Sequence, residues 1–220
     1  MNIRTHDSDE ALRDPLPPNP MPIFRAWFDQ ARADGNQPNP NAFSLCTVGP
    51  DGGPSARIVL CKQIEDDAIV FFTNYTSRKG GEISEHPRVA AVFHWDHADR
   101  QVRIEGTATR TGEAESDAYF VSRRVISRLG AWASEQSRPI ESREALMERV
   151  GEVMLRFGVP IEALTDDTIK ADIPRPPHWG GWRIRIARIE PWQGGDGRLH
   201  DRAVWERVAD AWSVPVRLQP

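Results

Sequence analysis

The fold is indicated most clearly by residues 42–74, AFSLCTVGPDGGPSARIVLCKQIEDDAIVFFTN. Two apolar runs, 42–48 and 55–64, flank a Gly-, Pro- and Asp-containing segment, a composition that favours a turn. This arrangement predicts a β-hairpin. A second turn at 65–67 leads into a third run, 68–74, whose β-branched and aromatic residues are typical of a strand. The centre of the chain is therefore predicted to consist of antiparallel strands.

Helices and more strands surround this centre. Pro20 and Pro22 open a predicted helix whose apolar residues recur at helical spacing, and Gly35 ends it. Further helices are predicted from near Ser77 to before Pro87, at 113–124 and at 142–157. Further strands are predicted at 88–95, 100–110, 182–192, 200–208 and 211–219. The fold class is therefore mostly β, an antiparallel barrel with helices packed outside it.

Composition limits the classes of function. The chain has 220 residues, which suits one domain at 21–220, and residues 1–20 are polar and Pro-rich, which predicts a flexible arm. The net charge of −4 argues against coating nucleic acid or anionic membrane, and no apolar run could span a bilayer. The N-terminus has no apolar core, and the two cysteines form no C-x-x-C motif, so a cytoplasmic protein is expected. The eight tryptophans suggest flat surfaces for a core, an interface or a ring-shaped ligand.

Basic residues near the predicted hairpin could bind an anion. Arg57 and Lys62 are five apart, so they point to opposite faces of a strand unless a bulge or strand end intervenes. Taken alone, they are more simply solvated charges. Thr73, with the Ser-Arg-Lys run at 77–79, could form an anion seat at a helix N-terminus, and an ordinary serine cap explains the run equally well. Gln101 could bind the edge of a polar heterocycle, although alone it is a weak indication.

Two later clusters are also candidates. Tyr119 and Arg123 would share one helical face, which Ser127 would extend if the helix continues. The three side chains could hold a phosphate, although an unoccupied helix surface is the more common case. Around the glycine-rich turn in WQGGDGRLHDR, residues 192–202, Arg198, His200 and Arg202 alternate and would face one way on an extended chain. This is the strongest local indication of a site. His94, Asp96 and His97 lack a third well-spaced His or Cys, so no metal site is expected.

Together, these motifs resemble the pyridoxine/pyridoxamine 5'-phosphate oxidase family. They follow the family's order and cover almost the whole chain after the arm. The motifs are DPLPPNP, NAF, RIVLCK, FFTNYTSRKG, HPRVAAVFHW, RQVRIEG, YFVSR, GAWASEQS, PHWGGWRI, WQGGDGRLHDR and RLQP. SRKG and WQGGDGRLHDR are the most specific. This chain departs from the family's usual pattern at Arg124 (usually Pro), at Cys61 (more often Leu) and in a longer stretch at 163–174.

The resemblance implies an FMN-binding split barrel, assembled as a homodimer with shared active sites. FMN would be bound by Arg57, Ile58, Val59, Leu60, Phe72, Thr73, Arg78, Lys79, Gln101, Gln136, Ser137, Trp192 and Arg202. The substrate phosphate would be held by Lys62, Tyr119, Arg123 and Ser127. Arg198 and His200 would approach the substrate's pyridine ring from the other subunit and would be the catalytic residues.

The implied reaction is oxidation of pyridoxamine or pyridoxine 5'-phosphate to pyridoxal 5'-phosphate, with dioxygen as acceptor and hydrogen peroxide as product. One alternative is another flavin oxidase of the same fold, such as one from phenazine biosynthesis, which would lack the phosphate-binding residues. A second is a flavin- or pyridoxal phosphate-binding protein without turnover, which would lack the pair Arg198 and His200.

Overall fold

The computed structural model describes residues 12–220. Its helices are α1 (Met21–Asp34), α2 (Arg78–Glu85), α3 (Glu113–Val121), α4 (Val125–Ala133) and α5 (Arg143–Phe157). Its strands are β1 (Ala42–Val48), β2 (Pro54–Leu60), β3 (Gln63–Ile64), β4 (Ala68–Asn74), β5 (Arg88–Trp95), β6 (Arg100–Arg110), β7 (Trp179–Gln193), β8 (Asp201–Val208), β9 (Ala211–Trp212) and β10 (Val216–Arg217). None of these helices is long and apolar enough to cross a membrane.

The described chain divides into two compact units, and one domain at residues 21–220 stays a prediction. The first unit comprises residues 12–71, 86–108 and 183–220, and the second comprises residues 72–85 and 109–182. The first unit contains most of the strands together with α1. The second contains α2 to α5, together with the ends of three strands.

The predicted hairpin is confirmed. β1 and β2 pair antiparallel, with Leu45 opposite Arg57 and Val48 opposite Pro54. The strand order is β10-β8-β7-β6-β5-β1-β2, with β3 paired to β4, so β2 lies at the end of this order. An edge strand keeps one side of its backbone available to another partner.

The predicted strand 55–64 is interrupted, which corrects the prediction of one continuous strand. β2 ends at Leu60, and Cys61 exchanges hydrogen bonds with Asn41: the Cys61 N–H donates to Asn41 O, and Asn41 Nδ2 donates to Cys61 O. The N–H of Lys62 then donates to Val70 O, so the chain changes partner from β1 to β4. A strand end therefore separates Arg57 from Lys62, and strict alternation no longer places them on opposite faces.

An aromatic cluster forms the core of the first unit. Phe93 on β5 stacks on Phe43 of β1 at 5.0 Å and contacts Phe24 of α1 at 5.1 Å between ring centroids. α1 buries the apolar face that its spacing predicted, and Gly35 ends it with a left-handed φ of 64°. Of the predicted flexible arm, residues 1–11 lie outside the described residues. Within residues 12–20, Leu12 is buried and Pro17 O accepts a hydrogen bond from Trp205 Nε1; the predicted mobility stays a prediction.

Helices α3, α4 and α5 surround a separate apolar core in the second unit, which includes Phe120, Leu129, Met154 and Trp179. The helix predicted at 113–124 ends early, at Val121, and α4 was not predicted. Arg124 is extended, with ψ of 146°, so the helical path is broken before α4 begins. α5 matches its prediction, and its N-cap Ser142 accepts a hydrogen bond from the N–H of Ala145.

Candidate functional site

The basic run at 77–79 forms a cluster around a buried ammonium group in the second unit. Lys79 is buried at the start of α2, and its Nζ donates to Gln136 Oε1 at 2.8 Å, Thr73 Oγ1 at 3.1 Å and Ser77 Oγ at 3.2 Å. These three oxygens are neutral hydrogen-bond acceptors for the ammonium group. The structure therefore brings Thr73, Ser77 and Lys79 of the predicted anion seat together with Gln136, and anion binding there stays a prediction.

Two neighbouring residues extend this cluster. Arg78 is mostly exposed, and its Nε donates to the buried carboxylate of Glu82 at 2.8 Å, one helical turn along α2. Ser137, next to Gln136, has a φ of 72°, a left-handed conformation that residues other than glycine seldom adopt. Backbone strain of this kind tends to occur at binding sites.

An aromatic stack forms a second cluster in the same unit. The rings of Phe72 and Tyr119 stack with centroids 4.0 Å apart, and Trp179 lies nearly parallel to both. The Arg123 guanidinium lies over Trp179, 4.7 Å from the ring centroid. Burial lowers the pKa of Arg123, and its buried Nη1 has no hydrogen-bond partner within residues 12–220. A buried guanidinium nitrogen that lacks a hydrogen-bond partner is suited to bind an anion.

Glycines allow the chain to pass close to this stack. A Cβ on Gly180 would overlap the Tyr75 hydroxyl, and one on Gly181 would overlap Thr111 and crowd Phe72. The WGG sequence therefore brings the start of β7 against these side chains. Trp179 and Glu82 were not singled out from the sequence. The PHWGGW motif carried a signal for Trp179, because a bulky ring directly before two glycines indicates close packing.

The predicted helical face of Tyr119, Arg123 and Ser127 is wrong in its geometry. Tyr119 belongs to α3, Arg123 follows its end, and Ser127 lies in α4. The local conformation instead turns Arg123 toward Phe120 and Trp179, at 5.7 and 4.7 Å. The Ser127 N–H donates to Arg124 O at 2.9 Å, which closes the first turn of α4.

The β2 residues predicted to bind FMN lie in the first unit at the sheet edge. Arg57 donates hydrogen bonds to Thr47 Oγ1, Ser55 Oγ and Leu45 O. Ile58 is 66% exposed, which is unusual for an apolar strand residue. Val59 and Leu60 complete the strand, and Lys62 follows its end. An edge strand with an exposed apolar side chain can present both backbone groups and apolar surface to a flat ligand.

A third cluster lies in the first unit, where β7 and β8 pair. Trp192 stands opposite Arg202, and its ring lies 4.6 Å from that of His200. His200 Nδ1 accepts a hydrogen bond from the Gly195 N–H at 3.2 Å. Because Nδ1 is the acceptor, the neutral imidazole carries its proton on Nε2, where it can donate to a ligand.

Arg202 is held by a buried carboxylate that the sequence analysis did not identify. Glu190 is 1% exposed, and its Oε1 accepts from Arg202 Nη2 at 2.7 Å and Nε at 3.1 Å. Its Oε2 is 3.4 Å from Arg103 Nη1 and 3.4 Å from Arg188 Nη2. The sequence did carry an indication of it, a lone glutamate in the mostly apolar run IARIEPW. A glutamate in a buried strand has a buried carboxylate, and such a carboxylate needs cationic partners.

Arg198 is not part of an extended strand, which corrects the prediction that Arg198, His200 and Arg202 alternate on one. It lies in a 3₁₀ turn at Asp196–Arg198, and Gly197 and Arg198 both have left-handed φ values of 64° and 66°. β8 begins only at Asp201. The exposed Arg198 therefore sits on a turn, and the structure brings together only Trp192, His200 and Arg202.

The remaining candidates occupy separate positions in the first unit. Gln101 lies on β6, opposite His94 of β5. His94 Nε2 lies 4.0 Å from Asp96 Oδ1, and His97 Nε2 lies 3.4 Å from Asp34 Oδ2. No group of three or more potential metal ligands occurs among residues 12–220.

Comparison with known proteins identifies the family. A family model described as pyridoxamine 5'-phosphate oxidase matches residues 30–156. The chain belongs to the pyridoxine/pyridoxamine 5'-phosphate oxidase family. A second model of this family, described as the pyridoxine 5'-phosphate oxidase C-terminal dimerisation region, matches residues 179–220.

Relatives named pyridoxine/pyridoxamine 5'-phosphate oxidase are similar along most of their length. The protein from Rubrobacter xylanophilus is 50% identical over 204 residues, which cover 92% of this chain and 88% of that protein. The protein from Cupriavidus metallidurans is 47% identical over 204 residues, covering 92% and 90%. The chain therefore spans nearly the full length of these oxidase relatives.

Solved structures confirm the fold as a split barrel of this oxidase family. PhzG from Burkholderia lata, solved in complex with tetrahydrophenazine-1-carboxylic acid, superposes with a TM-score of 0.81 at 31% identity, covering 94% of this chain and 95% of that one. An FMN-binding protein from Nostoc punctiforme, described as related to pyridoxamine 5'-phosphate oxidase, has a TM-score of 0.67 at 16% identity, with coverages of 90% and 96%. The predicted mostly β architecture with flanking helices is therefore confirmed.

Proposed function

We propose that this protein is an FMN-dependent oxidase that converts pyridoxamine or pyridoxine 5'-phosphate to pyridoxal 5'-phosphate. Dioxygen would be the electron acceptor and hydrogen peroxide the product, and the reaction would take place in the cytoplasm. The names of the relatives support this reaction. So does the presence of every residue that the family resemblance assigns to cofactor and substrate.

The observation that carries the proposal is the Arg123 guanidinium. It lies over Trp179, and its buried Nη1 lacks a hydrogen-bond partner within the described chain. Leaving a buried donor unpaired costs about 1–3 kcal/mol. A substrate phosphate would supply the missing acceptor and would stabilise the desolvated charge. Tyr119, whose ring packs beside Trp179, would contribute its hydroxyl to the same phosphate, together with Lys62 and Ser127.

The residues of the second unit fit an FMN phosphate. Lys79, Thr73 and Gln136 form a hydrogen-bonded group with a buried positive charge, and Ser137 follows in a strained backbone conformation. Phosphate oxygens would accept from such donors at short distance. Bound FMN would supply the redox chemistry, a two-electron oxidation of the substrate with dioxygen as the acceptor. The flavin-binding assignments on β2, at Gln101, at Trp192 and at Arg202 belong to the same proposal.

His200 and Arg198 would act on the substrate. The neutral His200 ring presents an Nε2–H donor, held in orientation by Trp192 and by the Gly195 N–H. It would orient the substrate or assist proton movement at its reacting group. Arg198, exposed on its turn, would stabilise negative charge on the pyridine ring.

A homodimer with shared active sites is the proposed assembly. The residues matched by the dimerisation model include four exposed apolar side chains: Leu199, Val208, Val214 and Val216. Exposed apolar side chains of this kind can contribute to an interface when a partner covers them. Light scattering of the active protein should give the mass of a dimer. A fully active monomer would contradict this assembly.

One set of assays tests the proposed reaction. The purified protein should be yellow and should release FMN, with no FAD, when its flavin is analysed by mass spectrometry. Adding pyridoxamine 5'-phosphate in the presence of oxygen should produce the aldehyde and hydrogen peroxide in equal amounts. The similarity to PhzG makes a phenazine-type substrate the second candidate. Turnover of a tricyclic acid without turnover of either B6 phosphate would favour that candidate.

A further inference from the structure

Trp179 occupies a central place in the second unit. It is 6% exposed, and its ring is within 15° of parallel to Phe72 and within 9° of parallel to Tyr119. Its centroid lies 5.6 Å from that of Phe72 and 6.1 Å from that of Tyr119. Phe120 packs edge-on against it at 5.1 Å. The indole is therefore held on several sides by aromatic rings, which restricts its orientation.

The Arg123 guanidinium is oriented by aromatic rings. Its central carbon lies 4.7 Å from the Trp179 centroid and 5.7 Å from the Phe120 centroid. Cation–π attraction is strongest for tryptophan, and it strengthens when the cation is desolvated. The indole offers this attraction without using any of the guanidinium N–H donors. The contact with the ring therefore does not compete with an anion for these donors.

We propose that Trp179 is the positioning residue for phosphate recognition, because it fixes the Arg123 guanidinium in the orientation in which it meets the substrate phosphate. This inference rests on the proposed function, in which Arg123 binds that phosphate. In the proposed arrangement, Trp179 itself touches neither the phosphate nor the reacting atoms. Its role is to restrict the Arg123 side chain before the phosphate arrives, so that less conformational entropy is lost on binding.

A merely structural role for Trp179 is the competing explanation, since the residue also belongs to the core of the second unit. The chain provides a matched control. Trp132 lies in the same unit, carries the Arg156 guanidinium at 4.7 Å and packs against Phe157 at 5.3 Å. Removing either indole removes one tryptophan–arginine pair of equal separation. Only the Trp179 pair involves Arg123.

The experiment compares a phosphorylated ligand with its unphosphorylated counterpart. Isothermal titration of the FMN-loaded dimer with pyridoxal 5'-phosphate and with pyridoxal gives the ratio of the two affinities. We expect Trp179→Leu to lower this ratio by about three- to thirtyfold, the range of one cation–π contact. Trp179→Phe should lower it less, because a smaller ring remains under the guanidinium. Trp132→Leu should leave the ratio unchanged.

A double-mutant cycle tests whether Trp179 acts through Arg123. In an Arg123→Gln background, Trp179→Leu should cause no further loss in the ratio. If the ratio falls equally in both backgrounds, or if Trp132→Leu lowers it as much, the positioning role is wrong. If Trp179→Leu does not fold, Trp179→Phe carries the test, and an unchanged ratio in that variant contradicts the inference. Failure of the proposed function is distinct: the wild-type protein would then not oxidise pyridoxamine 5'-phosphate.

Discussion

Replacing Arg202 with alanine should destabilise the protein, whereas replacing Arg198 should not. Arg202 donates two hydrogen bonds to Oε1 of Glu190, whose side chain is 1% exposed. Arg202 Nη1 also donates to Gln219 O at 2.9 Å. Arg198 is exposed on a turn. Although its φ is left-handed, arginine and alanine both carry a Cβ, so the substitution adds no backbone strain.

The magnitude follows from what Glu190 would lose. Removing one partner of a buried ion pair costs about 3–5 kcal/mol, because an uncompensated charge stays buried. Here Oε2 keeps Arg103 and Arg188, each at 3.4 Å, so the expected loss lies lower, at about 2–3 kcal/mol. For a protein of this size, that loss lowers Tm by about 4–12 °C. Arg198→Ala should change the free energy of unfolding by less than about 0.5 kcal/mol.

Thermal unfolding of both variants, with flavin content from absorbance and steady-state kinetics, separates the two arginines. Arg202→Ala should show the lowered Tm and a lowered flavin content. Arg198→Ala should keep its Tm and flavin, and lose about ten- to a hundredfold in kcat/KM, the effect of one charge-assisted contact to substrate. An Arg202→Ala variant with wild-type Tm would refute the reasoning about Glu190. An Arg198→Ala variant that loses flavin would refute the division of roles.

Three further substitutions test other parts of the structure. Lys79→Met should lower flavin occupancy with little change in fold, because it removes the cation, held by Thr73 Oγ1 and Gln136 Oε1, that would attract the flavin phosphate. Unchanged flavin content would contradict the anion seat. Gly195→Ala should lower Tm and activity together, because the added Cβ would overlap the backbone carbonyl oxygen of Leu199 and move the turn that carries Arg198; an active variant with wild-type Tm would contradict this. Burial raises the pKa of the Cys61 thiol from 9.0 to about 12, so the free energy of unfolding should fall between these pH values as the unfolded thiol ionises first. Chemical denaturation across this range should show a smaller decline in Cys61→Ala.

The fold could be predicted largely from local pattern. The hairpin at 42–60, α1 with its Gly35 cap and α5 with its Ser142 cap all follow from turn chemistry, periodicity and capping, which act within a few residues. The points at which a predicted strand or helix is interrupted could not be predicted in this way. The end of β2 at Leu60 depends on Asn41 and Val70, which are distant in sequence, and local alternation carries no information about them.

The candidate site was predicted in part. Thr73, Lys79 and Gln136 were named and lie together, and so do Trp192, His200 and Arg202. Two predictions were wrong. Tyr119 and Arg123 do not share a helical face, because the helical path is broken before α4, at Arg124. Arg198 does not lie on an extended strand, because the chain turns at Gly197. Glu82, Trp179 and Glu190 each contact an arginine of the predicted site, and sequence spacing does not reveal such contacts.

The most direct measurement of the central claim is the anaerobic spectrum of the purified protein after addition of pyridoxamine 5'-phosphate. One equivalent of substrate should bleach the visible absorbance of the bound flavin, and admitting oxygen should restore it with release of hydrogen peroxide. Pyridoxine 5'-phosphate should have the same effect. A flavin that stays oxidised with both compounds would contradict the proposed reaction.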